Sequence, residues 1–289
     1  MEKVKSIAIT GASGFVGSHL CQIFKKNGWE ITPLGRKEFA STAEELAKII
    51  QGVDVIVNLA GAPVVGRWSE KYKKILYDSR VTLTSKLIRA CNLLDTPPST
   101  FLSVSAAGCY TETGSHTEED NVLADDFLGK LTRNWEHEAL KAKEFGSRTV
   151  IFRFGIVLGK GGGVLGQMLL PFKLGLGGTI GDGSQALSWI HIKDLVRIFE
   201  AAINDSTYEG IYNLTAPHPT TNLEFTKALG KALSRPTILP VPVFLLRLVY
   251  GEGAKVITSG QTALPKRLLD RGFQFDFPFI DEAVSDCIK

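Results

Sequence analysis

A short strand that runs directly into a glycine-rich loop and then a helix constrains the fold of this sequence more than any other feature. The apolar run 6–10 leads into Gly11, Gly14 and Gly17, and a helical pattern begins at Phe15. Gly11 permits a tight turn, Gly14 lets the backbone approach an anion, and Gly17 lets the helix pack close to the strand. This order is typical of a dinucleotide-binding unit, whereas the three glycines alone would indicate only a tight turn.

The first half of the chain alternates short β-rich runs with longer helical patterns, which predicts an α/β fold with a doubly wound parallel sheet of the Rossmann type. The predicted strands are Ser6–Thr10, Glu30–Leu34, Val53–Leu59, Thr100–Ser105 and Thr149–Phe154. The predicted helices between them are Phe15–Asn27, Ala43–Ile50, Glu70–Leu94 and Asp126–Phe145. We expect a Rossmann domain over residues 1–155 and a smaller, mostly helical substrate lobe over residues 156–289, with segments such as 185–215 returning to the sheet.

Two basic residues follow the second predicted strand, at the position that distinguishes NAD from NADP. An NAD enzyme places an acidic residue about 20 residues after the glycines, where it holds the ribose 2′-hydroxyl. Here Arg36 and Lys37 occupy that region. A guanidinium can make a bidentate contact to a 2′-phosphate, so NADP is the predicted cofactor. The alternative is that the two residues only solvate a loop.

Composition excludes several other classes of function. A net charge of +3 without a run of Lys or Arg gives no sign of nucleic-acid binding. No stretch approaches the roughly 20 apolar residues of a membrane span, the richest being 241–250, which Arg247 interrupts. The four cysteines are scattered, the histidines do not form a zinc pattern, and the amino terminus lacks a signal-like apolar core. We therefore expect a cytoplasmic protein without a metal, and a homodimer is one possible oligomeric state.

The residues Asn58-Leu59-Ala60-Gly61, together with the glycine loop and Arg36, give the chain a family resemblance. It resembles the atypical, extended short-chain dehydrogenase/reductases. Further matches to that family lie at 103–105, 153–155, 187–194 and 212–217. The chain is also similar to a subgroup of NAD-dependent epimerase/dehydratase-like proteins of uncertain function, through the combination of residues 126–128, 135–136 and 264–269. Members of that subgroup are often labelled nucleotide-sugar epimerase or cell-division inhibitor.

The resemblance implies that Leu59, Ala60 and Gly61 pass along the dinucleotide and that Arg80 faces it, although a helix salt bridge is an equally plausible role for Arg80. It also indicates that one strand of the family pattern is missing between Arg36 and Val53, because that segment is short. The residues expected at the cofactor are Gly11, Ser13, Gly14, Phe15, Val16, Gly17, Arg36, Lys37, Leu59, Ala60, Gly61 and Arg80.

The same resemblance implies an acid–base pair, Tyr-x-x-x-Lys, which this chain lacks. When Glu136 is aligned with the glutamate that commonly follows the pair, Leu128 and Thr132 take the two positions, and neither can exchange a proton in that way. Ser105 corresponds to the supporting serine, and Tyr110 is the best remaining phenol. We therefore predict Ser105 and Tyr110 as the catalytic residues, with a packing role for Tyr110 as an even alternative.

Two functions remain open at this point. One is an NADP-dependent oxidoreductase or epimerase-like enzyme that acts on a small carbonyl or sugar-like substrate between the lobes. The other is a catalytically impaired protein in which bound NADP regulates a partner. Nucleotide-sugar binding without redox chemistry is a third reading, which the residues favour least. His191, at the predicted junction of the lobes, is more often a structural histidine than a substrate contact in such a position.

Overall fold

The computed structural model describes residues 5–120 and 122–289. Residues 1–4, which contribute to the expectation about a signal sequence, therefore lie outside the described part. In chain order the strands are β1 (Ser6–Thr10), β2 (Glu30–Leu34), β3 (Val55–Asn58), β4 (Thr100–Ala106), β5 (Ser115–His116), β6 (Arg148–Phe154), β7 (Ile156–Leu158), β8 (Ala186–Leu187), β9 (Trp189–His191), β10 (Gly210–Leu214), β11 (Thr220–Thr221) and β12 (Thr262–Ala263).

The helices surround this framework on both sides. They are α1 (Phe15–Lys26), α2 (Arg36–Ala40), α3 (Ala43–Ile49), α4 (Glu70–Tyr77), α5 (Leu83–Asn92), α6 (Phe127–Leu140), α7 (Gly163–Lys173), α8 (Ile192–Asn204), α9 (Asn222–Leu233), α10 (Val243–Tyr250), α11 (Lys255–Thr258), α12 (Lys266–Asp270) and α13 (Ile280–Ile288). A π-helical turn over Asp78–Thr82 joins α4 to α5.

The central sheet has six parallel strands in the order β10-β6-β4-β3-β1-β2. The chain moves outward from β1 to β2 and then crosses back to β3 on the other side of β1. This reversal opens a crevice at the carboxyl ends of β1 and β3, which is where doubly wound sheets bind their ligands. The predicted Rossmann-type fold is confirmed.

Both faces of the sheet are buried because successive residues of a strand point to opposite sides. On β1, Ile7 and Ile9 pack into the core shared with α1 and α8, whereas Ala8 packs into the core shared with α3 and α5. Burial on both sides explains why the strands read as nearly continuous apolar runs in the sequence.

The strand expected to be missing is absent from the described residues between β2 and β3, where only α2 and α3 are found. β2 is consequently the edge of the sheet. Pro33 fits there, because a residue without an N–H group is tolerated on an edge strand.

The second half of the chain forms a smaller cluster around α7, α9 and α13, with its own buried core. β10 nevertheless lies in the main sheet beside β6, and α8 packs against α1. The boundary at residue 155 stays a prediction. Within the described ranges, no helix has the length and apolar character that crossing a bilayer requires.

Candidate functional site

The glycine loop after β1 is as tight as its sequence suggests. Gly11 adopts a left-handed backbone with φ of 66°, and its carbonyl accepts a hydrogen bond of 2.9 Å from the Gly14 amide. A Cβ atom at Gly17 would lie 2.2 Å from the Gly11 carbonyl oxygen, so only glycine permits this packing of α1 on the loop. α1 begins at Phe15 behind Gly14, which has no side chain with which to cap the helix. The first-turn amides therefore have no capping side chain from Gly14 and are available to bind an anion.

The ring of Phe15 packs against another segment, whereas the Phe15 amide lies in the first turn of α1. A Cβ atom at Gly162 would lie 2.2 Å from this ring, which places the phenyl group tightly against the glycine-rich segment before α7. Phe15 and Val16 are partly buried, whereas Ser13 is exposed on the loop. Contacts of Phe15 and Val16 to a phosphate would accordingly come from their amides, and Ser13 can add a hydroxyl donor.

Arg36 and Lys37 lie on the surface at the end of β2, beside the glycine loop. The Gly11 amide donates to the Leu34 carbonyl at 3.3 Å, which ties the two strand ends together. The nearest acid in the sequence, Glu38, turns back to accept a hydrogen bond of 2.8 Å from the Gly35 amide, and this bond lowers the pKa of Glu38. Its carboxylate thus caps α2, while both basic side chains are exposed.

The segment after β3 is held against the glycine loop by the buried hydroxyl of Thr10. This oxygen accepts from the amides of Leu59 and Ala60, both at 2.9 Å, and the hydroxyl donates to Oδ1 of Asn58 at 2.9 Å. A Cβ atom on Gly11 would lie 3.3 Å from the Ala60 amide nitrogen. The glycine loop and the segment after β3, both of which a dinucleotide would contact, are therefore held together by these hydrogen bonds and this close packing.

Arg80 lies in the π-helical turn, directly behind Gly61. Its Nη2 donates to the Ala62 carbonyl at 2.9 Å, its guanidinium lies 5.4 Å from the ring centre of Trp135, and a Cβ atom on Gly61 would lie 3.0 Å from Cζ. Burial lowers the pKa of Arg80 to about 10. Among the ion pairs formed within the described ranges, none includes Arg80, so the helix salt bridge considered above is not formed there.

A buried polar network occupies the ends of β4 and β6. The Ser105 hydroxyl donates to Oε1 of Glu136 at 2.6 Å, and Glu136 forms a two-pronged ion pair with Arg153, with both N–O distances at 2.8 Å. Burial opposes the charged form of Arg153, but the hydrogen bonds and charge of Glu136 outweigh it and raise the pKa of Arg153. All three residues are at most 7% exposed.

Tyr110 belongs to the same network and is fully buried. Its hydroxyl lies 2.8 Å from Nη1 of Arg153, 3.0 Å from Oδ1 of Asn213 and 2.9 Å from the Thr117 carbonyl, and its ring stacks on His116. Burial raises the pKa of Tyr110 to about 12. This placement, away from an open loop, favours the packing alternative, and the proton-transfer role stays a prediction.

The two positions of the missing acid–base pair are occupied as the sequence implies. Thr132 is buried and its hydroxyl donates back to the Leu128 carbonyl at 2.9 Å, which ties it to its own helix. Lys130 is exposed and lies 3.5 Å from Asp125. Neither α6 position offers a titratable group to the crevice.

A cleft of about 640 Å³ lies beside the first turn of α6. Its walls contain two aromatic rings, Trp68 and Phe127, in an edge-to-face pair with ring centres 5.3 Å apart. Lys255 lies in the cleft between Asp126 at 2.8 Å and Glu112 at 3.0 Å, and hydrogen bonds to both acids raise the pKa of Lys255. The lining therefore combines aromatic surface with charges of both signs.

His191 is buried at the end of β9, where its Nδ1 accepts from the Lys193 amide at 3.3 Å and begins α8. Burial lowers its pKa to about 4. The position supports the structural role.

Thr10, Glu136 and Arg153 were not predicted as site residues, although the sequence carried a signal for one of them. Arg153 directly follows the apolar run 150–152 in a central strand, and a charged residue at such a buried position requires a buried partner. Nothing in the local sequence identifies Glu136 as that partner.

Comparison with known proteins places these features in a family context. Residues 7–215 match the model of the NAD dependent epimerase/dehydratase family, and residues 241–287 match a domain of unknown function, DUF1731. The chain is 37% identical to the chloroplastic homolog of epimerase family protein SDR39U1 from Arabidopsis thaliana, over 98% of this chain and 86% of the relative, and 37% identical to SDR39U1 from Bos taurus, over 98% and 99%.

Two solved structures show the extent of the structural similarity. Human SDR39U1 (isoform 2), crystallised with NADPH, has a TM-score of 0.89 and 33% identity, and the match covers 98% of this chain and 99% of that one. UDP-glucuronic acid 4-epimerase from Bacillus cereus has a TM-score of 0.78 and 18% identity over 98% of both chains, which shows a shared fold.

Proposed function

Because the chain belongs to the NAD dependent epimerase/dehydratase family, we propose that it binds NADP in the crevice between β1 and β3 and acts as an oxidoreductase or epimerase-like enzyme. The observation that carries the proposal is the close approach of α1 to the glycine loop, where a Cβ atom would lie 2.2 Å from the Gly11 carbonyl oxygen at Gly17 and 3.1 Å from it at Gly14. The human relative that was crystallised with NADPH supports the choice of cofactor.

Different residues would bind different parts of the dinucleotide. The amides of the loop and first turn would hold the pyrophosphate, with Ser13 as an added donor. Arg36 would hold the 2′-phosphate in a bidentate contact, with Lys37 as a second positive charge. Leu59, Ala60 and Gly61 would line the path toward the nicotinamide, and Arg80 would add a buried positive charge behind Gly61.

NADP, when bound, supplies a hydride donor and acceptor for a carbonyl–alcohol interconversion. On the protein side, the Ser105 proton is directed to Glu136, so the Ser105 oxygen is left to accept a hydrogen bond from a hydroxyl or an amide. We assign Ser105 to contact the reacting group or the cofactor amide. Glu136 and Tyr110 then serve as positioning residues that fix Ser105 and Arg153.

The cleft beside α6 is the proposed substrate site. Its rings can pack against the faces of a small sugar-like or carbonyl compound, and its paired charges can bind hydroxyl and carbonyl groups. The first turn of α6 borders this cleft, and α6 also packs against the segment that follows Ser105. The substrate would therefore lie on the same side of the sheet as the nicotinamide.

The experiment follows NADPH absorbance with a panel of small aldehydes, ketones and sugars, using the wild type, Ser105→Ala and, as a control, Thr226→Val. Thr226 is a buried hydroxyl on α9, so its replacement tests the general effect of losing such a group. We expect oxidation of NADPH that falls at least about tenfold in Ser105→Ala, the scale of a lost acid–base or orienting contact. Equal turnover in Ser105→Ala and wild type would contradict the role of Ser105.

The second candidate function is a regulatory protein in which NADP occupancy controls a partner. The observation that favours it is the pair Leu128 and Thr132, which removes the family's proton-exchanging groups from α6. The same experiment separates the two functions, because the regulatory protein would bind NADPH without consuming it across the whole panel.

A further inference from the structure

Helix α10 exposes apolar side chains instead of burying them. No residue of α10 is buried, and Phe244 and Leu248 are 68% and 73% exposed. These two residues are four positions apart and therefore share one face of the helix. Leu245 and Val249 extend the exposed surface to the side. A helix of this composition ordinarily packs its apolar side against another element.

Two further segments continue this surface. The Val241 amide donates to the Thr179 carbonyl at 2.7 Å, and Nε of Arg235 donates to the Lys173 carbonyl at 2.9 Å, so the end of α7 and the segment before α10 are joined. Their exposed side chains and those of α10 together form what we term the apolar face, which consists of Leu170, Leu174, Leu176, Ile238, Leu239, Phe244, Leu245, Leu248 and Val249.

The apolar face is too large to be an ordinary surface feature. From the exposed fractions of its side chains, it presents on the order of 1,000 Å², whereas the largest patch on a typical monomer is roughly 300–600 Å². A patch of this size normally contacts a partner protein or a membrane.

The charges around the apolar face help to distinguish between a partner protein and a membrane as its contact. Residues 159–181 and 225–251 contain Lys and Arg but no Asp or Glu, and acids occur directly outside these ranges at positions 182, 224 and 252. Acids and bases are nearly balanced in the chain as a whole. Lys173 and Arg235 border the face, and Arg247 lies on α10 itself. A second copy of the chain would bring the same positive charges together, which disfavours a symmetric dimer through this surface.

We propose that the apolar face docks on the surface of an anionic lipid bilayer. Phe244 and Leu248 enter the boundary between headgroups and acyl chains, and the Lys and Arg side chains at the rim contact anionic headgroups. α10 has eight residues, far fewer than the roughly 20 needed to span a bilayer, so the contact is peripheral. The docking does not require a bound dinucleotide.

The test is flotation of the full chain with vesicles of phosphatidylcholine alone or of equal parts phosphatidylcholine and phosphatidylglycerol. The variant is Phe244→Glu/Leu248→Glu. The control is Leu93→Glu, an exposed apolar residue that follows α5 and precedes the amino end of β4. We expect the wild type and the control to float with the anionic vesicles and the double variant to bind at least about tenfold more weakly. Raised salt should release the wild type.

Circular dichroism of each variant confirms that it is folded before flotation is compared. Three results would overturn the proposal: no flotation of the wild type, equal binding to neutral and anionic vesicles, or a wild-type dimer that the double variant converts to a monomer. A dimer of that kind would show that a second copy covers the face. If the wild type does not float, binding of an acidic protein to the apolar face would show that a protein partner covers it.

Discussion

The buried ion pair between Glu136 and Arg153 gives a prediction whose size follows from the structure. Arg153→Met leaves the Glu136 carboxylate in the interior with only the Ser105 hydroxyl as a partner. Breaking a buried pair from one side costs about 3–5 kcal/mol, because the remaining charge is desolvated without compensation. We expect a loss of this size in the free energy of unfolding, measured by equilibrium denaturation in urea, and a comparable loss in Glu136→Gln.

The double variant Glu136→Gln/Arg153→Met removes both charges and should lose less stability than the sum of the two single variants, with a coupling energy of about 2 kcal/mol or more. Lys143→Met is the matched control, because Lys143 and Glu209 are 2.7 Å apart on the surface and such a pair contributes about 0–1 kcal/mol. Additive losses, or single variants as stable as the Lys143 control, would refute the assigned network.

Three further results are expected. Gly17→Ala, whose Cβ would lie 2.2 Å from the Gly11 carbonyl oxygen, should weaken NADPH binding in a fluorescence titration at least about tenfold. Gly166→Ala, where a Cβ would have open space, is the control and should bind NADPH as the wild type does. Equal NADPH affinity of Gly17→Ala and the wild type would contradict the loop geometry. Tyr110→Phe should lower the unfolding free energy by about 1–3 kcal/mol, since it leaves buried partners unsatisfied, and turnover lost at unchanged stability would instead support proton transfer. Burial lowers the pKa of His191 to about 4, so as pH falls from about 6.5 the unfolded state binds a proton before the folded state does, and the free energy of unfolding should drop by up to about 3 kcal/mol by pH 4. His191→Gln should reduce this dependence of stability on pH, and an unchanged pH dependence in the variant would contradict the prediction.

The sheet was predictable because its strands are buried on both faces. β1 and β2 have the predicted bounds, β4 and β6 differ from theirs by one residue at one end, and β3 is shorter by two residues at its start and one at its end. The predicted helix Glu70–Leu94 instead consists of α4, a π-helical turn and α5, which ends at Asn92. A π-helical turn is a single turn with i to i+5 hydrogen bonds inside a longer helix, so the sequence still indicates one helical segment.

The site was predictable only where local sequence determines local backbone. The glycine loop is such a case, since Gly11 makes the turn through its left-handed backbone and Gly17 packs on Gly11 and Ala12, a few residues earlier. Tyr110 is the opposite case, because its direction depends on His116, Asn213 and Arg153, which arrive from distant parts of the chain. Pairings of this kind are set by tertiary packing, and a single sequence does not specify them.

The most direct test of an NADP site compares the dissociation constants of NADPH and NADH for the wild type and Arg36→Glu by quenching of tryptophan fluorescence. Arg89→Glu, an exposed residue on α5, is the control for a change of charge. A bidentate contact to the 2′-phosphate should make NADPH bind about 10–100-fold more tightly than NADH in the wild type and in the control, and Arg36→Glu should reverse the order. Equal affinities for NADPH and NADH in the wild type would contradict the account.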